Sequence, residues 1–427
     1  MNTNKIVLHS TIFFYLLILI VTTLPFFISI NSIAIILLVI NWLIEGNWKK
    51  KREMFLSSKY AIFCVIFYLY HIIGLFYSAN NSVGLFELEK KLALIIFPLV
   101  FATSVTLNRK KIFIILYCFV TACFAAVVIC LSNAIYFSSI GDNSYFFYHK
   151  LGSPIHFHAV YFSVYLGFAI CILIYFLQDK WETQSWTLKT MLIFLVTLFL
   201  FFLLLLSSKT VSISVLIITL LYLLVIMYKR KKIIIGILFF VLVPTLSVIM
   251  VKSSGNIQNR FNELSKENYF EVLKLDDYRG FQFTGGTIRV AIWKSVFEIL
   301  NEEKAWIFGV GTGDSQDLLT KKYMQKNIYP GDGALGHIGF IDYNAHNQYF
   351  QFLITLGVSG LFIFFFLLSY PIIHNPNNVL QILFIFIFCT FCFTESALCA
   401  HKGVVFYSFF NSLFFFGSYN KENKEQN

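Results

Sequence analysis

Apolar residues fall into runs of about 20 along the whole chain, the length a helix needs to cross a bilayer at about 1.5 Å per residue. Twelve such runs, centred near residues 19, 37, 68, 98, 124, 167, 198, 219, 241, 357, 386 and 410, predict an all-α polytopic membrane protein with about 12 transmembrane helices. The runs do not alternate apolar and polar residues, which excludes an outer-membrane barrel. The first, from about Thr11 to Phe27, lacks a small-x-small cleavage site, and a second run follows at once. It reads as a retained helix, not a removed signal peptide.

The polar stretches between the runs are short, with one exception from about Lys252 to Asn344. The predicted organisation is therefore a transmembrane bundle over 1–250 with helices 1–9, and a large extracytoplasmic loop with short helices over 251–346. Helices 10–12 follow over 347–418, and 419–427 form a cytoplasmic tail. Orientation follows from the basic residues. Placing the N-terminus in the cytoplasm puts seventeen Lys and Arg inside, in clusters such as Lys49 to Arg52, Arg109 to Lys111 and Lys229 to Lys232. Outside, the long loop apart, stand only Lys90, Lys91, Lys150, Lys209 and Lys402, a clear positive-inside bias. Long loops without function are uncommon, so this one is expected to carry the chemistry, with Phe137 to His156 on the same face and able to close over it.

Composition agrees with this reading: 58% of the 427 residues are hydrophobic and 13% charged, against about 25% charged in an ordinary soluble domain. A water-soluble globule is excluded. The formal net charge of +11 does not imply a nucleic-acid partner, because the charges sit between apolar runs and those of the long loop nearly balance. The partner that the sequence does imply is membrane lipid. The eight cysteines lie in or beside apolar segments, where Cys behaves as a small hydrophobe, and no disulfide framework is expected; Cys389-x-x-Cys392 reads the same way.

Candidate chemistry concentrates on the outer face. In the long loop, Thr287 can cap a helix running through Ile288, Arg289, Ile292, Trp293, Val296 and Leu300, which puts Arg289 and Trp293 on one face. Gly309, Gly311 and Gly313 mark a tight backbone turn; no Lys-Ser/Thr or βαβ context makes them a nucleotide site. Lys321 to Gly339, with Pro330, reads as irregular. His346 is expected to begin the tenth membrane helix, with Tyr349, Phe350, Leu353, Gly357 and Gly360 on its face, so that its imidazole points into the bundle. Histidine suits proton transfer near neutral pH, and Asn344, Asn347 and Gln348 offer it hydrogen-bonding partners; the bland alternative is a satisfied interfacial His. Arg289 is a fork suited to phosphate, or else a solvated loop side chain. Lys209 breaks an apolar stretch, either snorkelling or awaiting an anion. Glu87, Glu89, Lys90 and Lys91 form either a site or a structural pair cluster, while Glu395, His156 and His158 add ionisable groups on the same face.

At these residues the chain resembles the O-antigen ligase and polymerase family of bacterial multi-spanning glycosyltransferases. The matching pieces are Phe76-Tyr77-Ser78-Ala79-Asn80 with Leu88-Glu89-Lys90-Lys91-Leu92, His158-Ala-Val-Tyr161, Leu206-Ser207-Ser208-Lys209, and Thr287-Ile-Arg289 with Trp293. They continue with Gly309-Val-Gly311-Thr-Gly313 and Asn344-Ala-His346-Asn347-Gln348-Tyr349 running into Leu356-Gly357-Val-Ser-Gly360-Leu361. The resemblance implies transfer of a glycan from undecaprenyl diphosphate to an acceptor hydroxyl on a lipid or glycan, at the periplasmic side of the inner membrane, without nucleotide, metal or other cofactor. It implies His346 as the base or acceptor-positioning residue and Arg289 as the diphosphate clamp. Lys209, Lys90, Lys91, Trp293, Asn347, Glu395 and His158 are the expected substrate-binding side chains. Where the family usually has arginine after the serine, this chain has Lys209, which keeps the charge and loses the fork. An O-antigen ligase of lipopolysaccharide or other surface polysaccharide biosynthesis is the first reading, a repeat-unit polymerase the second. A secondary transporter or flippase is the reading from another class, although no internal repeat supports it.

Overall fold

The computed structural model describes residues 3–417 apart from 180, 182–183, 207, 232, 235–267 and 333–336. Its helices are α1 Thr3–Thr23, α2 Ile28–Glu45, α3 Trp48–Ser57, α4 Lys59–Phe76, α5 Asn81–Lys91, α6 Ala93–Thr103, α7 Arg109–Ser139, α8 Tyr148–Gly152, α9 Ala159–Gln178, α10 Trp186–Leu206 and α11 Lys209–Lys229. Beyond them lie α12 Tyr269–Lys274, α13 Gly285–Glu302, α14 Ser315–Gln325, α15 Gln348–His374, α16 Val379–Thr394 and α17 His401–Phe416. The polar residues that separate the apolar runs become helix caps: the side chains of Ser58, Asn80, Asn108, Asn347 and Asn378 accept backbone N–H groups at the starts of α4, α5, α7, α15 and α16.

Eleven of the twelve expected centres fall inside helices, and the one near residue 241 lies outside the described residues. Seven helices among those described are long and apolar enough to cross a membrane: α2, α4, α7, α9, α10, α11 and α15. The difference from twelve is one of length. The apolar part of α1, Val7–Thr23, and the whole of α16 are shorter than a full span, and α17 has 16 residues. The fourth expected span breaks at Leu92 into α5 and α6, of 11 residues each, too short to span alone.

The bundle is organised around α9, whose residues are buried on nearly all sides, as a helix apolar all round must be. It packs on α7, α10, α11 and α16. Phe168 of α9 meets Phe384 of α16 and Phe406, Phe410 and Phe414 of α17 with ring centroids 5.0 to 6.0 Å apart, so the many phenylalanines form a continuous core. Polar side chains gather at the two ends. At one, Arg109 pairs with Asp179 at 2.8 Å and Arg230 donates to the carbonyl of Gln178. At the other, Lys402 donates to the carbonyl of His156, Asn80 to Asp317, and His346 meets Glu395.

The long loop is docked through a defect in a membrane helix. Inside α15, Gly357 takes φ 71°, ψ −171°, which interrupts the helical hydrogen bonds. The groups this frees are taken by the loop: Val310 and Gly311 donate to the carbonyls of Ile354 and Thr355, while Val358 and Ser359 donate to those of Trp306 and Ile307. Backbone at membrane depth is tolerated only when satisfied by protein in this way. The loop is also bound to the end of α4, where Asp314 accepts from the backbone N–H of Ala79 and Asn80, both at 2.8 Å, and Gly313 N–H reaches Ser78 Oγ at 3.0 Å. Beyond this contact α14 runs to Gln325, so the stretch expected to be irregular begins as helix; among its described residues after Gln325 there is no helix, and Gly331–Asp332 pairs with His337–Ile338.

The turn at Gly309 is required by that docking. It has φ +73°, and a Cβ would lie 2.4 Å from the nitrogen of Leu356. Gly280 has nearly the same φ, +74°, with nothing near its Cβ position. Gly280→Ala should therefore cost only backbone strain, about 1–3 kcal/mol, whereas Gly309→Ala must also push the loop off α15. Thermal unfolding in detergent should show a clearly larger fall in midpoint for Gly309→Ala; equal falls for the two would contradict the docking.

Candidate active site

Arg289 stands on the second turn of α13. That helix is capped by Thr284, three residues before the expected Thr287: Thr284 accepts from Thr287 N–H, and the Thr287 hydroxyl accepts from Thr284 N–H. The Thr-Gly-Gly-Thr spacing makes a capping box, which moves the helix start upstream. One turn on from Arg289, the Trp293 indole donates to the carbonyl of Ala345 at 3.0 Å and packs its ring against Phe350 and Phe393. Trp293 thus ties α13 to the segment that carries His346.

His346 does not begin α15 as the spacing suggested. It precedes the Asn347 cap and takes φ +43°, held by a hydrogen bond from its N–H to Asn344 Oδ1. The reason is that Asn347 outcompetes it as cap: its carbonyl oxygen accepts from both Tyr349 and Phe350 N–H, and its amide donates to the carbonyl of Phe393. The imidazole is therefore turned away from the face of Leu353 and Gly360 towards Tyr343, at 4.7 Å between ring centroids, and towards Glu395.

Glu395 is the centre of the site. It follows the last residue of α16, is only 6% exposed, and is shared between two partners. His346 Nδ1 lies 2.9 Å from Oε2, and Arg289 Nη2 donates to Oε1 at 3.1 Å. The second Arg289 nitrogen, Nη1, donates to the carbonyl of Gly285, while its buried Nε has no partner among the described residues. Burial raises the Glu395 pKa, but the hydrogen bond from His346 and the charges of His346, Arg289 and His158 outweigh it and leave the carboxyl below its ordinary value. A depressed carboxylate contributes stability above the ordinary carboxylate pKa and loses it as pH falls through the lower, folded value.

His158, just before α9, faces the same group: burial lowers its pKa, Glu395 opposes this, and His346 and Arg289 add to it. His149 lies beside it with ring centroids 4.1 Å apart, which brings the segment after Phe137 to the site as expected. Arg289, Trp293, His346, Glu395 and His158 thus converge. Asn347 is near but works as a helix cap, 1% exposed. Lys90 and Lys91 both pair with Glu87, at the side of Cys399, so this trio keeps one net positive charge, which Glu89 on the same helix balances formally. Lys209 is the first residue of α11, and its side chain lies outside the described part of the structure.

Tyr343, His149 and the Asp314 brace were not found from sequence. Tyr343 and His149 carry no spacing signal, whereas Asp314 directly follows the glycine turn and was open to recognition. Among the described residues, no group of three or more His, Cys, Asp or Glu is arranged to hold a metal ion, and all eight cysteines are free thiols.

A comparison with curated proteins returns no match. Among protein families, the model described as O-antigen ligase matches residues 192–365, a stretch that holds α13, the glycine turn, His346 and the break in α15. Over residues 192–365, therefore, this multi-pass helical membrane protein, whose buried carboxylate joins a loop arginine to a histidine, is similar to the O-antigen ligase family.

Proposed function

We propose that this protein is a glycosyltransferase of the inner membrane that moves a glycan from undecaprenyl diphosphate to an acceptor hydroxyl, acting as an O-antigen ligase with its site facing the periplasm. The observation that carries the reading is Glu395 held between His346 and Arg289. The positive-inside distribution supports the periplasmic side, since all three residues belong to the end of the bundle that bears few cations.

The geometry suits a division of roles between the two partners of Glu395. With Nδ1–H donated to Glu395, the His346 ring keeps its Nε2 lone pair free for the proton of the acceptor hydroxyl. The acceptor oxygen forms a bond to the anomeric carbon as the bond from that carbon to the diphosphate oxygen breaks. The hydroxyl proton goes to His346, and undecaprenyl diphosphate departs with the electron pair. Glu395 then faces an imidazolium, which its charge stabilises. Arg289 supplies cation for the diphosphate, and its buried Nε is the one guanidinium nitrogen that no protein group among the described residues engages. Trp293 and Asn347 keep the arginine and histidine segments in register with α16. His158, close enough to Glu395 for their charges to interact, is the side chain assigned to the glycan in this reading.

A repeat-unit polymerase would use the same donor and the same leaving-group chemistry. Deletion of the gene separates the two: a ligase deletion leaves long chains on undecaprenyl diphosphate, and a polymerase deletion leaves single repeat units. Long chains in the deletion strain are the expected result; single units would replace the ligase reading with the polymerase.

The three side chains should fail differently. His346→Ala should slow transfer about 10²–10⁴-fold with donor binding largely intact. Arg289→Ala should weaken donor binding as well, by about 1.5–3 kcal/mol for each charge-assisted hydrogen bond lost. Glu395→Gln should slow transfer while leaving donor binding equal or tighter, because Arg289 is released from its carboxylate. Binding of labelled donor alongside initial rates checks all three; weaker donor binding by Glu395→Gln would count against the carboxylate's hold on the diphosphate-binding arginine, and an unchanged rate against its role as the partner of His346.

A further inference from the structure

The loop that fills the break in α15 has an apolar tip. Trp306, Ile307 and Phe308 form a turn between α13 and the glycines, and Ile307 is 64% and Phe308 60% exposed. Four polar groups of this tip are already satisfied. The carbonyls of Trp306 and Ile307 accept from Val358 and Ser359 N–H, the carbonyl of Phe308 accepts from the hydroxyl of Tyr77 at 2.6 Å, and the Trp306 indole donates to Asn301. The three carbonyls and the indole of the tip are thus paired within the protein, while two large apolar side chains remain mostly exposed.

Their surroundings identify what covers them. Phe76, next to Tyr77 at the end of α4, is 84% exposed, and Leu69 and Ile73 continue an exposed apolar stripe down that helix at spacings of three and four residues. On α15, directly after the break, Val358, Phe362 and Phe365 form a second exposed stripe at the same spacing. Both helices are long and apolar enough to cross a membrane, so both stripes face lipid. The tip bonds to α15 ten residues beyond its start at Gln348, about 15 Å along the axis at the usual helical rise. Ile307 and Phe308 are therefore continuous with lipid-facing surface rather than with the polar part of the loop.

We infer that residues 305–309 form a re-entrant segment of the membrane domain, with Ile307 and Phe308 inserted among the acyl chains of the leaflet in which α4 ends. The occupant of this surface is bilayer lipid. The inference stands apart from the proposed reaction, since it uses no residue of the His346 site. Its consequence is that the loop carrying Arg289 is anchored in the bilayer just after α13.

Nitroxide labels at Ile307→Cys and Phe308→Cys, each in full-length protein reconstituted into phosphatidylethanolamine and phosphatidylglycerol vesicles, test this by collision with oxygen and with a water-soluble nickel chelate. Phe362→Cys serves as the lipid-facing reference and Lys321→Cys, on exposed α14, as the aqueous one; signal from native cysteines is subtracted using the labelled parent protein. The expected result is an oxygen-to-nickel ratio at 307 and 308 that matches Phe362. A ratio matching Lys321 would overturn the inference. Low accessibility to both reagents, the pattern of a site covered by a second copy of the chain, would overturn it as well.

Discussion

The structure depends on a helix that is not allowed to finish. In an apolar surrounding each unpaired backbone group costs several kcal/mol, so the break at Gly357 can exist only because residues 306–311 supply the missing partners. The same bonds fix the loop to α15 on one side, and the Asp314 brace fixes it to the end of α4 on the other. A long connection that would otherwise be free to sample many arrangements is thereby made part of the membrane bundle. The three glycines are present because the backbones meet too closely for any side chain: a Cβ at Gly311 would lie 2.3 Å from Ser78 Oγ, and one at Gly313 2.1 Å from the carbonyl of Asn80.

Once the loop is docked, the second constraint acts on charge. Glu395 ends an apolar helix and is almost fully buried, and an ionised carboxylate there must be paired. Its partners come from two places far apart in sequence, α13 and the segment before α15, so the carboxylate is the point at which loop and bundle are electrostatically joined. The pairing also engages one ring nitrogen of His346, which in the proposed mechanism leaves the other for the acceptor proton. Structure and proposed mechanism therefore rest on the same two contacts.

Much of the bundle is legible in the sequence because bilayer thickness imposes a length on every apolar run, and eleven of the expected centres lie in helices. The split of the fourth span at Leu92 and the break at Gly357 are not legible in that way, because hydropathy does not register where a helix stops hydrogen-bonding within an apolar stretch. Arg289, His346 and Glu395 were individually visible as charges on one face. Their convergence was not, since the Arg289–Glu395 and His346–Glu395 contacts span 106 and 49 residues and depend on how the loop docks. The orientation of His346 was misread for a local reason: sequence spacing cannot tell that Asn347 takes the cap and turns the preceding residue out of the helix. The Lys90 and Lys91 cluster illustrates the opposite case, since Glu87 at three and four residues' distance supplied the partner from the helix itself.

The measurement that bears most directly on the account is transfer by purified protein in detergent or sealed vesicles, given glycan on undecaprenyl diphosphate and a hydroxyl-bearing acceptor, with no nucleotide and no ion gradient. The account predicts glycosylated acceptor and free undecaprenyl diphosphate appearing in equal amounts, and loss of both with His346→Gln in protein of normal abundance and fold. Movement of the glycan-lipid across the vesicle membrane without any acceptor product, or undiminished transfer by His346→Gln, would contradict it.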